Sequence, residues 1–217
     1  MNTLHSLIDT KDPGLPVLQA LIDDAERPCE LLPPASDAAQ VLLHLNVTTR
    51  SLLGAVAFET GGILVDHGWL RILGSGHERL PRNLKSCNTD PSRGYLLIAD
   101  DAGGGFFALN GGGLGADTGA LYYWSPDDLN WEALEIGYTD FLGWALSEQS
   151  QLFYEGLRWA SWQTDVRAMR ADQCVTFFPF LWTREGSPDG SARKVVSVDE
   201  HFALKQELAR QLGAVQR

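Results

Sequence analysis

No apolar run in this chain approaches the roughly 20 residues that a helix needs to cross a bilayer. The opening MNTLHSLIDTKDPG has no basic stretch followed by an apolar block, so no secretory signal is expected. Cysteine is scarce: Cys29, Cys87 and Cys174 are far apart and odd in number, and no CxxC pair exists. That argues against a disulfide framework and predicts reduced thiols in a cytoplasmic setting. Basic residues are also few, 17 Lys and Arg against 28 Asp and Glu, for a net charge of −11. No Lys/Arg cluster offsets this balance, so phosphate backbones are repelled. Neither nucleic acid nor a membrane is an expected partner.

What remains is ordinary globular material. The 217 residues are 44% hydrophobic and 21% charged, enough to bury a sizeable core. The first third reads helical. Asp12-Pro13 has the form of an N-cap with proline at the first helical position, followed by Val17, Leu18, Leu21, Ile22 and Ala25 at helical spacing. Ser36 opens a second short helix through Val41, Leu42 and Leu45. After Thr48 two strand-like runs are expected, Ala55–Glu59 and Ile63–Leu73, separated by Gly61-Gly62. GYLLIAD, GFFALN, GALYYWS and WEALEIG then follow in quick succession and predict an antiparallel meander. Helical spacing returns at Phe141, Leu142, Ala145 and Leu146. Trp159 and Trp162, three apart, are expected on one helix face. Cys174–Trp182 is a further strand, placed at an edge or bend by Pro179. Ser197-x-x-Glu200 opens a last helix with Gly213 as its stop. With no repeat and no long linker, the expectation is one α+β domain over residues 1–217, helices at both ends and a mostly antiparallel sheet between them.

The glycine-rich ADDAGGGFFALNGGGLG poses the sharpest question. Gly103, Gly105 and Ala108 fit G-x-G-x-x-A, as do Gly111, Gly113 and Ala116. A dinucleotide fold needs that turn to open a helix whose free amides hold the pyrophosphate. Here strand-like FFALN and ALYYW follow, and no G-K-[ST] appears. The stretch reads as a hairpin, and no cofactor is expected.

Chemistry-bearing side chains gather in VDHGWLRILGSGHERL. Asp66, His67, Ser75 and His77, with Glu59 before them and Glu78 after, offer a small hydrolase or a metal-dependent enzyme as an alternative. Against this, LGSGH lacks the first glycine of a G-x-S-x-G elbow. The ten-residue separation of His67 and His77 also matches no common zinc spacing. The competing reading makes Gly74-Ser75-Gly76 a turn and Asp66-His67 a pair of local hydrogen-bonding groups. No catalytic or metal-binding residue is assigned on these signals.

The order YLLIADD, glycines, FFALN, loop, ALYYWS, acidic PDDLNW and helical YTDFLGWAL is similar to the core of the SUKH superfamily, over about residues 94–146. Through VTTRS (Val47–Ser51), ETGGILVDHGWLRILGSGH (Glu59–His77) and LPRNL (Leu80–Leu84), the whole chain resembles a bacterial family described as domain of unknown function 2625. The SUKH resemblance implies binding rather than catalysis, since many members are immunity proteins that neutralise toxins and others are interaction modules. It brings no catalytic residues with it. Asp100, Asp101, Tyr122, Trp124, Asp127, Asp128 and Trp131 are the acidic and aromatic positions expected near an exposed groove, where they would meet a basic toxin or regulatory target. A homodimer formed through an exposed strand is the third expectation.

Overall fold

Alternation governs the centre of the molecule. Phe107 and Tyr123 point to one side of the sheet and Phe106, Ala108 and Trp124 to the other, and each set enters a different apolar cluster. A computed structural model of the chain describes residues 2–215. In chain order it contains α1 (Leu4–Leu7), α2 (Leu15–Asp23), β1 (Cys29–Leu32), α3 (Ala38–Leu45), α4 (Leu52–Glu59), β2 (Gly62–Val65), β3 (Leu70–Leu73), β4 (Tyr95–Asp101), β5 (Phe106–Asn110) and β6 (Leu121–Trp124). There follow β7 (Glu132–Ala133), α5 (Tyr138–Ala145), α6 (Glu148–Phe153), α7 (Trp162–Ala168), β8 (Gln173–Phe178), β9 (Ala192–Ser197) and α8 (Val198–Val215).

Strands β1 to β7 form a seven-stranded sheet in sequence order, every neighbouring pair antiparallel. This is the expected α+β meander, extended by β1, which the helical reading of the first third did not anticipate. Leu18 of α2, Val56 of α4 and Phe141 of α5 join Ile63, Ile72, Ile98 and Phe107 in the larger core. The opposite face, at Leu97, Phe106 and Trp124, is covered by Cys174 of β8 and by Val198 and Phe202 of α8. Strands β8 and β9 make a separate two-stranded ribbon. β8 ends at a cis Phe178-Pro179 bond.

Several sequence expectations need correction. Ala55–Glu59 is not a strand but the second half of α4, which the Ser51 hydroxyl caps by accepting the Gly54 N–H at 3.0 Å. Residues Leu52–Ala57 are all buried, so the helix is apolar all round and shows no polar stripe to betray its period. The run Ile63–Leu73 is two strands folded about a 3-10 turn at Asp66–Gly68. α2 begins after Gly14 with Pro16 in its first turn, not at Pro13. Trp159 precedes the N-cap Ser161 and shares no helix with Trp162. The two rings instead meet on Trp69, at centroid distances of 5.5 and 5.2 Å. Gly213 lies within α8 rather than ending it.

The glycine stretch is the β4–β5 hairpin and the β5–β6 connection. Its amides are already occupied. Asp101 Oδ1 accepts the N–H groups of Gly103 and Gly105, each at 2.9 Å, and Asn110 Oδ1 accepts those of Gly112 and Leu114 at 2.7 and 3.1 Å. Each loop closes on a side chain of its own. Gly104 has φ +90°, and a Cβ there would run into the imidazole of His201. Gly104→Ala is therefore expected to cost about 2 kcal/mol or more from backbone strain and overpacking together. An unchanged midpoint in a denaturant melt would contradict this.

α8 also sends two ionisable groups inward. Burial, and then the neighbouring Lys205, push His201 down to about 4 from 6.5. Burial pulls Lys205 down to about 7 from 10.5, although Asp101, Asp127 and Asp128 oppose the shift. The Lys205 ammonium donates to the Ser125 carbonyl and lies 5.2 Å from the Trp124 ring centroid. Between each pair of values the unfolded chain holds the proton and the folded chain does not. Stability is thus expected to fall with acidification from pH 10.5 to about 7, and again from 6.5 to about 4. Lys205→Met should flatten the upper window in chemical denaturation followed against pH. An unaltered slope would refute the assignment.

Candidate functional site

The turn between β2 and β3 carries three consecutive residues with positive φ: Asp66 at 49°, His67 at 62° and Gly68 at 92°. For non-glycine residues this costs about 1–3 kcal/mol each, and such strain concentrates where side chains must be aimed. Here it aims two neighbours apart. Asp66, 2% exposed, turns inward. Its Oδ1 lies 2.7 Å from Arg27 Nη2 and its Oδ2 2.5 Å from Arg158 Nη2. The Arg158 guanidinium is layered on aromatic rings, 4.0 Å from the Trp162 centroid and 5.0 Å from that of Trp69. His67 turns outward, and its Nε2 accepts from Arg167 Nη2 at 2.7 Å.

These placements separate the set named for the enzyme alternative. The Asp66 carboxylate and the His67 ring do not touch. Ser75 is buried, donating to the Thr60 carbonyl at 2.6 Å and accepting the Ala35 N–H at 2.9 Å, so it ties two loops together. His77 accepts the Arg79 N–H on Nδ1 at 3.2 Å and lines a recess shared with Ser75 rather than with His67. Glu59 stands at the end of α4. Among the described residues no three His, Cys, Asp or Glu side chains are grouped as a metal site would require.

Residues not singled out from the sequence build the more coherent site. A cleft of about 410 Å³ opens between the β2–β3 hairpin, the segment around Glu78–Pro81 and the stretch from Val166 to Ala171. Four arginines line it: Arg71, Arg79, Arg167 and Arg170. An adjoining recess of about 370 Å³ shares Leu64, His67, Arg79 and Arg167 and adds Pro28, Cys29 and Glu30. Arg79 is paired with Glu30 and Arg170 with Asp172. Arg167 has no carboxylate in ion-pair range among the described residues, and its side chain is hydrogen-bonded to His67. Arg71 is 1% exposed, stands directly opposite Asp100 in the β3–β4 ladder, and holds Nε 2.9 Å from Asp100 Oδ1. Its Nη1 donates to the Gln173 carbonyl, while its Nη2, itself shut off from solvent, has no hydrogen-bond partner. A free donor on a buried guanidinium is costly unless something accepts from it. The one sequence signal was a charge inside the otherwise apolar WLRIL.

The acidic and aromatic positions expected at an exposed groove lie mostly inside. Asp100 and Asp101 are 1% and 0% exposed. Asp100 is shared by Arg71 and Arg82, and Asp101 takes two glycine amides and the Tyr123 hydroxyl at 2.8 Å. Burial raises the Asp101 carboxyl above the usual carboxylate range. Tyr122 and Trp124 are also buried. The Tyr122 hydroxyl donates to Asp117 at 2.7 Å and the Trp124 indole to the Asp128 carbonyl at 3.0 Å. Only Asp127 is exposed, with Asp128 and Trp131 half-buried beside it. The reason is hairpin geometry: the end of β4 is a sheet interior, and the polarity of its carboxylates is satisfied there by arginine and amide groups.

An antiparallel meander packed on both faces, with a cleft lined by arginines on one flank, defines an α+β protein. The chain belongs to the family described as "Protein of unknown function DUF2625", whose model matches residues 4–201. It is 45% identical to the uncharacterized protein YbfG of Escherichia coli (strain K12), over 96% of this chain and 97% of that protein. It is 41% identical to an uncharacterized protein of Haemophilus influenzae (strain Rd), over 93% of this chain and 92% of the relative. No solved structure matches it. Among the described residues no helix is long and apolar enough to cross a membrane.

The inward half of the turn supplies a test of the site's frame. Asp66→Asn takes from Arg158 its counter-charge and leaves the half-buried Arg27 with Glu148 alone, at an expected cost of about 3 kcal/mol. Equilibrium unfolding measures it, and a loss under about 1 kcal/mol would show that the two arginines find water instead.

Proposed function

We propose that the protein acts by binding rather than by making or breaking bonds, and that the group it captures is anionic. The observation that carries this is Arg167, a cleft-lining guanidinium with no acid of its own among the described residues, set beside Arg71, Arg79 and Arg170 in the same cleft, in a chain of net charge −11. Planar donor forks of this kind match carboxylates and phosphates. The dispersal of Asp66, Ser75 and His77 away from His67 supports binding over hydrolysis.

A protein partner is the second reading, and it is where the SUKH-like likeness of residues 94–146 enters. It is supported by the order β4–β5–β6, acidic turn, α5, and by the surface Asp127 with Asp128 and Trp131 at that turn. A basic toxin or regulatory target met in the cytoplasm would be drawn to the overall negative charge. The cleft reading stands first because Asp100, Asp101, Tyr122 and Trp124 are inside the fold.

Thermal melts at low ionic strength in phosphate, sulfate or acetate, each against chloride, test the cleft. A ligand at about 100 times its Kd stabilises by about 2.7 kcal/mol, a rise of about 5–10 °C for a chain of this size. Arg167→Gln should remove most of that rise without lowering the melting temperature in chloride. No shift in any of the three anions would overturn the reading.

A further inference from the structure

Resting on the cleft reading, we infer that the ligand is a zwitterion with an apolar side group: a free α-amino acid. Three kinds of surface meet in the one cleft. The first is Arg167, a guanidinium without an acid among the described residues, with the buried Arg71 in the wall behind it. The second is Glu78, an exposed carboxylate that lines the same cleft and has no cation in ion-pair range among the described residues, its neighbour Arg79 being taken by Glu30. The third is an apolar wall that includes Leu64, Val166 and Met169. These complement a carboxylate, an ammonium and an aliphatic side chain in that order.

Charge balance favours this over a phosphate. Three of the four arginines already have acids: Arg71 has Asp100, Arg79 has Glu30 and Arg170 has Asp172. The cleft therefore has one guanidinium without an acid, Arg167, little unbalanced positive charge, and a carboxylate, Glu78, among its lining residues. A dianion would meet that carboxylate with two charges, whereas a zwitterion meets it with an attractive one. The volume of about 410 Å³ is in the range of small-molecule sites.

Calorimetric titration of the intact protein with L-leucine, with isocaproate (leucine without its amine), with isopentylamine (leucine without its carboxylate) and with inorganic phosphate separates the possibilities. L-leucine is expected to bind about tenfold more tightly than isocaproate, the factor that one charge-assisted hydrogen bond supplies. Isopentylamine should bind more weakly still. Glu78→Gln, a surface change that leaves the fold intact, should bring leucine to the isocaproate level without weakening isocaproate. Arg167→Gln should weaken both. Isocaproate binding as tightly as leucine, or leucine binding untouched by Glu78→Gln, would sink the zwitterion and leave the anion cleft standing. Phosphate binding above leucine would do the same. If none of the carboxylates nor phosphate binds, the inference and the cleft reading fall together.

Discussion

Asp100 is a carboxylate with almost no contact with water, and the cleft is organised around it. It faces Arg71 across the β3–β4 ladder and also receives Arg82, which in turn reaches Asp199 at the start of α8. Arg71 continues to the Gln173 carbonyl at the head of β8. One buried charge thus holds together the main sheet, the two-stranded ribbon and the C-terminal helix. A buried ion pair is weak evidence of stability, because desolvation offsets most of its attraction. Its worth here is geometric: it fixes an arginine in the wall of a cleft that a flexible surface cation could not line with the same definition.

A second charged group works by the same logic on the other side of the turn. Asp66 gathers Arg27 from the segment before β1 and Arg158 from the loop before α7, while stacking on Trp69, Tyr154 and Trp162 keeps Arg158 in place. The chain's seven tryptophans serve partly in this. Trp69, fully buried, touches Tyr154, Trp159 and Trp162 and so ties the β2–β3 turn to the segment 154–162. The DHG turn needs that surrounding rigidity, since consecutive left-handed residues hold their shape only when packing dictates it.

The meander was legible because period-two patterning and glycine punctuation agree over β4, β5 and β6, and because both candidate phosphate loops run into strand-like residues. α4 was not legible, since a helix buried on every side has no amphipathic signature, and its Ala, Val and Phe read equally well as strand. The DHG turn was hidden inside an apolar run that spans two strands. The site was harder than the fold. Chemically able residues at 66–77 attracted attention through nearness in sequence, yet the left-handed turn sends Asp66 and His67 in opposite directions. Arginine in an apolar strand, at Arg71, carried more meaning than the histidines, but its partners lie at Asp100 and Gln173, far away along the chain. Acidic residues were assigned to the surface by their type alone, and Asp100 and Asp101 are interior because arginines and amides wait for them.

β9 leaves one flank of the ribbon open, with Ala192, Arg193, Lys194 and Val195 all exposed. Open edges are templates for adding another chain, and cationic side chains are a common deterrent. Were two copies to align antiparallel about this edge, Arg193 of each would sit opposite Lys194 of the other, and like charges face to face disfavour such a pairing. In that register the two cations act against self-pairing along the border.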